Sequence, residues 1–148
     1  MTYQHRLKPW PGWAAVEYRT LVRATHLLAQ AAKLALHQVE RRDSLGLPRA
    51  LAQLARQVRE VELAALRVEA GRQERGQARW PRWAIYALRL MVDDSRRISC
   101  QLESTDQRSW GELEQLLTDW LASGQHMELA LLSGPPPADN EAPLSTKT

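Results

Sequence analysis

The sequence predicts an all-α fold: an antiparallel four-helix bundle built from a duplicated helical hairpin. The first observation is a repeat, because the pattern Trp-Pro-x-Trp-Ala occurs at residues 10–14 and again, 70 positions later, at residues 80–84. The second is that apolar residues follow each copy at alternating spacings of three and four, which is the spacing of one helix face. The third is that no segment shows a strong apolar-polar alternation typical of a half-buried strand.

The first helix is predicted over residues 13–42, which contain neither Gly nor Pro. Pro11 lies just before this helix. Proline lacks a backbone N–H, but the N–H groups of the first helical turn have no acceptor within the helix, so the loss is not destabilising there. Arg41 and Arg42 place cations beside the exposed carbonyls of the helix end, and Gly46 can adopt a left-handed C-terminal cap. The residues of this helix that are predicted to face the core form a stripe, which we call its seam. The seam consists of Ala14, Tyr18, Leu21, Thr25, Leu28, Ala32, Ala35 and Val39.

The second helix is predicted to start at Pro48 and to follow a seam of uniformly apolar residues. Two such seams joined by a short connection favour an antiparallel hairpin. Gly71 and the mostly polar residues up to Arg79 indicate that the helix frays or breaks there, without fixing its end. The seam consists of Leu47, Leu51, Leu54, Val58, Val61, Ala65 and Val68.

The third helix is predicted from Pro81 to about Leu102. Its seam repeats that of the first helix 70 positions later, and even the polar seam residues Thr25 and Ser95 coincide. This correspondence predicts pseudo-twofold symmetry between the two helices. The seam consists of Ala84, Leu88, Met91, Ser95, Ile98 and Leu102.

The fourth helix is predicted to begin at a capping box formed by Ser109 and Glu112, whose side chains can bond each other's backbone amides. Gly124 is expected to end it, and residues 127–132 are expected to form one more short helix or docking segment. A flexible, Pro-rich, acidic tail is predicted for residues 135–148. The chain is therefore expected to be one helical domain over residues 1–134, followed by this tail.

The composition is that of an ordinary globular protein, with 44% hydrophobic and 25% charged residues among 148. No apolar run reaches the roughly 18 residues of a membrane span, and the start of the chain lacks the apolar stretch of a secretory signal. The single Cys100 cannot form an internal disulfide. A cytoplasmic location is therefore predicted. Arg outnumbers Lys by 17 to 3, a bias of GC-rich codons that suggests a bacterial or phage source.

No constellation of residues predicts catalysis. The four His residues are scattered, without carboxylates or thiols at the spacing of a metal site. Asp93 and Asp94 are adjacent and would point about 100° apart on a helix, so they are better explained as a solvated face. Cys100 has no His in register and is expected to be a passive thiol. The sequence thus predicts a protein that is not an enzyme and has no metal or cofactor.

Basic residues follow the flanks of the first and third helices at a spacing of seven. Such stripes could bind DNA or RNA phosphates without regard to sequence. The alternatives are that Arg fills exposed positions and pairs with nearby Glu, or that the stripes bind an acidic protein. The residues concerned are Arg19, His26 and Lys33 (the first stripe), Arg82, Arg89 and Arg96 (the second stripe), and Arg67, Arg72, Arg75 and Arg79 between them.

Charge is also divided along the chain, with a balance of +9 over residues 1–100 and −6 over residues 101–148. The basic part could face a polyanion, or the acidic part could pack against it. The sequence does not decide between these.

Two further features are candidates for protein contact. Leu63 and Leu66 lie outside the seam of the second helix, which predicts either burial on two sides or an interface with a partner or a second copy. Trp10 and Trp80 are expected to pack in the core or at its edge, or else to serve a partner or nucleic-acid bases.

These features favour a non-enzymatic helical subunit of a bacterial or phage nucleoprotein assembly, with nucleic acid and other protein subunits as partners and no membrane. The competing class is a protein-binding adaptor, regulator or inhibitor of a mobile element, with no nucleic-acid contact.

Overall fold

The computed structural model describes residue 10, residues 12–75 and residues 80–133. This part of the chain is helical and contains no strand, which confirms the predicted fold class. The predicted tail, residues 135–148, and Arg79 lie outside it. The helices are α1 (Ala15–Glu40), α2 (Leu47–Glu74), α3 (Arg82–Leu102) and α4 (Trp110–Ser133), with short 3-10 turns at Gly12–Ala14 and Thr105–Gln107.

The four helices form a bundle in which α1 packs against α2 and α4, and α3 packs against the same two helices. The Arg67 guanidinium, near the end of α2, donates to Glu17, near the start of α1, over 3.4 Å. The Tyr18 hydroxyl, also near the start of α1, donates to the Leu131 carbonyl near the end of α4 over 2.7 Å. Helix α1 therefore runs antiparallel to α2 and to α4, and these two run in the same direction.

The predicted seams form the core. Every seam residue of α1 is at most 2% exposed, and in α2 and α3 only Leu51 and Leu102 are partly exposed. The polar seam residue Thr25 is satisfied locally, because its hydroxyl donates to the Val22 carbonyl over 3.1 Å. The spacing of three and four thus identified the buried face of each helix.

The predicted end of the fourth helix at Gly124 is wrong, since α4 continues to Ser133. Gly124 is buried against α1, where a β-carbon would lie 2.8 Å from Leu28 Cδ2 and 3.2 Å from Ala29 Cα. Glycine here permits a close approach of two helices rather than a left-handed cap. The predicted extra C-terminal segment is the last part of α4.

The left-handed residue after α1 is Arg42, with φ of 53°, and the predicted cap at Gly46 is wrong. Gly46 has φ of −83° and directly precedes α2. Asp43 explains this turn, because its Oδ1 accepts hydrogen bonds from the backbone amides of Leu45 and Gly46. These two hydrogen bonds of the Asp43 side chain hold the turn in the conformation from which α2 begins.

Helix α2 ends at Glu74, inside the segment from Gly71 to Arg79 where the sequence predicted that it frays or breaks. Gly71 lies under the Trp13 ring, where a β-carbon would lie 2.5 Å from a ring carbon. The capping box is confirmed, with the Ser109 amide donating to Glu112 Oε1 and the Glu112 amide donating to Ser109 Oγ.

The buried residues of α4 repeat the seam of α2 with an offset of 66 positions. Leu113, Leu117, Trp120, Met127 and Leu131 correspond in this way to Leu47, Leu51, Leu54, Val61 and Ala65. Helices α1 and α3 correspond with the offset of 70 seen in the sequence. The packing is compatible with a duplicated hairpin, and the duplication itself remains a prediction.

Candidate nucleic-acid and protein interfaces

Both copies of the Trp-Pro-x-Trp pattern meet at one end of the bundle. The Trp10 and Trp80 rings pack edge to face with centroids 5.1 Å apart, and Trp10 also lies 5.0 Å from the Tyr18 ring. Trp13 lies 6.0 Å from Trp80. Trp10 and Trp80 are only 4% and 7% exposed, so their rings are occupied in packing within the chain and present little surface to a partner.

The two described cations at the end of α2 are also engaged within the chain. The Arg75 guanidinium lies 4.6 Å from the centroid of the Trp13 ring, within the range of a cation–π contact. Arg72 donates to both carboxylate oxygens of Glu69, at 2.6 and 3.2 Å. This hydrogen bond holds the pKa of Glu69 below its ordinary value, with smaller contributions from Gln73 and other positive charge.

The first stripe lies on the flank of α1 that faces α4. His26 Nδ1 is hydrogen-bonded to Glu128 Oε2 of α4 over 3.1 Å. Arg19 and Lys33 are exposed, and neither forms a hydrogen bond or ion pair with any residue that the structure describes. Within the described ranges, therefore, no carboxylate competes with a ligand for these two cations.

The second stripe lies on the flank of α3 that faces α2, and acidic residues oppose it there. Arg96 Nε donates to Glu62 Oε2 over 3.1 Å. Two turns away along α3, the positive charge of Arg89 contributes to the lowered pKa of Glu69, after the hydrogen bond from Arg72. Arg82 is exposed and has no such partner within the described ranges. For Arg96, the alternative that Arg pairs with nearby Glu agrees with the structure, whereas Arg89 forms no ion pair with a described residue and affects Glu69 only through its charge.

The two stripes lie on opposite sides of the bundle. The first borders the α1–α4 face, as the contact between His26 and Glu128 shows, and the second borders the α2–α3 face, as the contact between Arg96 and Glu62 shows. These faces share no helix. A single flat ligand would therefore contact one stripe and not both, although the sequence predicted matching basic flanks on two symmetric helices.

Leu63 remains outside the core, with 47% of its surface exposed, and Leu66 is half-buried. Burial on two sides of α2, which the sequence left as one explanation, does not extend to Leu63. The pair shares the outer surface of the helix with the exposed Ala70.

Sequence reasoning missed two features of these candidate surfaces. Glu62 and Glu69 are seven residues apart, and so are Arg89 and Arg96. This shared spacing is visible in the sequence, but it becomes informative only when α2 and α3 lie side by side. Leu129 of α4 is 59% exposed. The sequence did not place Leu129 on the fourth helix, because that helix was expected to end at Gly124.

At the other end of the bundle, an open cleft of about 730 Å³ lies between the start of α2 and the start of α4. Its walls are mostly apolar, and the Arg42 guanidinium lies 6.0 Å from the ring of Trp110, one of the lining residues. Across the described ranges no three His, Cys, Asp or Glu residues lie together as metal ligands would.

Within residues 10, 12–75 and 80–133, no helix combines the length and the apolar character needed to cross a membrane. Comparison with known proteins adds nothing to these observations, because no protein family, no curated protein and no solved structure matches this chain.

Proposed function

We propose that this chain is a non-enzymatic, cytoplasmic helical subunit of a nucleoprotein assembly, which contacts nucleic-acid phosphates through the α1 flank. The observation that carries the proposal is that Arg19 and Lys33 are exposed and have no counter-ion among the described residues. Cations held by carboxylates of the same protein gain less from a phosphate, because the existing ion pair must first be broken. The α1 flank therefore offers the better phosphate-binding surface.

Arg23 extends this surface. It lies one helical turn after Arg19, is exposed, and has no ion pair within the described residues. His26 lies between Arg23 and Lys33 on the same side of the helix, although Glu128 engages it. Backbone contacts of this kind carry no sequence information, so binding is expected to be indifferent to sequence and sensitive to salt.

The adaptor class remains the second candidate, and specific observations favour it. Helix α4, which borders the α1 flank, contains no Lys or Arg, so the basic surface is narrow. Leu63 also exposes an apolar side chain on α2. A protein that binds partners through such residues alone would show no affinity for nucleic acid.

The test is the salt dependence of binding to labelled single- and double-stranded oligonucleotides, measured by fluorescence anisotropy. The double variant Arg19→Ala and Lys33→Ala should lower the slope of log K against log salt by about 0.7 to 0.9 for each phosphate that is no longer neutralised. The matched control, Arg67→Ala and Arg96→Ala, removes two Arg that form ion pairs with Glu17 and Glu62, and it should leave the slope nearly unchanged.

Two results would contradict the proposal. One is no binding by the unaltered protein at about 50 mM salt, where phosphate contacts are strong. The other is an equal loss of affinity in both double variants, which would mean that overall charge rather than the α1 flank governs binding. Either result would favour the adaptor class.

A further inference from the structure

The outer surfaces of α2 and α4 lie on opposite sides of the bundle and carry exposed leucines at matching positions. Leu63 of α2 is 47% exposed and Leu129 of α4 is 59% exposed. They are separated by 66 positions, the same offset that relates the buried seams of these helices. Leu63 and Leu129 therefore occupy the same height along the bundle, and each points away from it.

Toward the starts of the two helices, the outer surfaces of α2 and α4 carry charges of opposite sign. Arg49 and Arg56 are exposed on the outer surface of α2, on the side toward the start of the helix. Glu114 and Asp119 are exposed on α4 and have no ion pair with any described residue. The offset of 66 places Glu114 and Asp119 at the same distance along the bundle as positions 48 and 53 of α2. Along the bundle the order is therefore Glu114, Arg49, Asp119 and Arg56, so acidic and basic residues alternate.

The directions of the helices allow these surfaces to meet. Because α2 and α4 run in the same direction, a second copy placed alongside without inversion brings its α4 parallel to α2 of the first. Leu63 then faces Leu129 of the neighbour, and the arginines of one copy lie between the acidic residues of the other. Two α2 surfaces that face each other and run in the same direction would instead bring arginines together, which is unfavourable.

We propose that copies of this chain associate head to tail, with the outer surface of α2 in one copy docked on the outer surface of α4 in the next. Such an interface uses two different patches, so it does not close on a pair and can extend into a row. In a row of this kind every α1 lies on the same side. The inference goes beyond the proposed function, since association requires no nucleic acid.

The test is sedimentation velocity of the nuclease-treated full chain over a series of concentrations and salt levels. The unaltered protein should form species larger than dimers as concentration rises, and salt should weaken them. Leu63→Asp and Leu129→Asp should each abolish association, because each removes one of the two patches. The control Leu34→Asp, at a residue 51% exposed on α1, should leave association intact. Circular dichroism should show unchanged helicity in all three.

Mixing the two single variants separates this arrangement from a symmetric dimer. Each variant keeps one intact patch, so an equal mixture should form a heterodimer and nothing larger. The charge reversal Arg56→Glu should weaken association, and adding Asp119→Arg to the same chain should restore it.

The proposal is overturned if the unaltered protein stays monomeric at every concentration. It also fails if Leu129→Asp leaves association intact while Leu63→Asp abolishes it, since that pattern belongs to a twofold α2–α2 interface. Neither outcome bears on the salt-slope experiment, which measures binding to nucleic acid directly.

Discussion

Gly124 of α4 lies directly against Ala29 of α1, so close that a β-carbon at position 124 would lie 3.2 Å from both the Cα and the amide nitrogen of Ala29. This close packing sets the approach of two helices at the middle of the bundle. It also explains why a glycine lies inside a 24-residue helix, where it is otherwise unfavourable.

Gly124→Ala should therefore lower the free energy of unfolding by about 1 to 3 kcal/mol, because overpacking outweighs the gain in helix propensity. The control is Gly111→Ala in the first turn of the same helix, where a β-carbon would meet nothing closer than Ser109 Oγ at 4.0 Å. That variant should be neutral or more stable by up to about 1 kcal/mol. Chemical denaturation measures both, and stabilisation by Gly124→Ala would contradict the close approach.

The seams predict large costs for truncation in the core. Leu54 and Leu88 are 0% and 1% exposed, so Leu54→Ala or Leu88→Ala should cost about 2 to 5 kcal/mol through reduced packing and a residual cavity. The control Leu34→Ala, at a half-exposed position, should stay within about 0.5 kcal/mol. Similar values at all three positions in urea unfolding would mean that the seams do not form the core.

Arg42 carries backbone strain, since its φ of 53° lies in the left-handed region. Arg42→Gly should raise the free energy of unfolding by roughly 0.5 to 1 kcal/mol, because glycine adopts this conformation without steric cost. Arg42→Ala keeps the β-carbon and should bring no such gain. Thermal unfolding of the two variants side by side provides the measurement, and equal midpoints would argue against strain at this residue.

Glu69 should make stability depend on pH. The hydrogen bond from Arg72, with smaller contributions including Arg89, holds its folded-state pKa below the ordinary value. Its contribution is therefore present above the ordinary glutamate pKa and is lost as the pH falls through the folded-state pKa. Glu69→Gln should be less stable than the unaltered protein at neutral pH, by no more than about 1 kcal/mol, and the difference should vanish in acid.

The control for this prediction is Glu60→Gln, at an exposed position of the same helix that has no ion pair within the described residues. Denaturant unfolding at neutral pH should show a smaller loss of stability for that variant, because it breaks no ion pair among the described residues. A difference for Glu69→Gln that persists unchanged into acid would assign the effect to packing rather than to charge.

The sequence by itself determined the fold class and the buried faces of the first three helices. Periodicity is a local property, so the spacing of residues such as Tyr18, Leu21 and Thr25 was sufficient to identify the face that lies in the core. The capping box of Ser109 and Glu112 was equally readable, because both of its hydrogen bonds span three residues.

Only the tertiary structure decided what depends on neighbouring helices. Gly124 resembled a helix end, yet it lies inside α4, because Leu28 and Ala29 of α1 occupy the space that a side chain would need. The two basic stripes looked equivalent along the chain, but Glu62 and Glu69 on α2 oppose one of them, whereas Arg19 and Lys33 of the other have no counter-ion among the described residues. The sequence shows which residues share a helix face, and the packing of the helices determines which charges on those faces are paired.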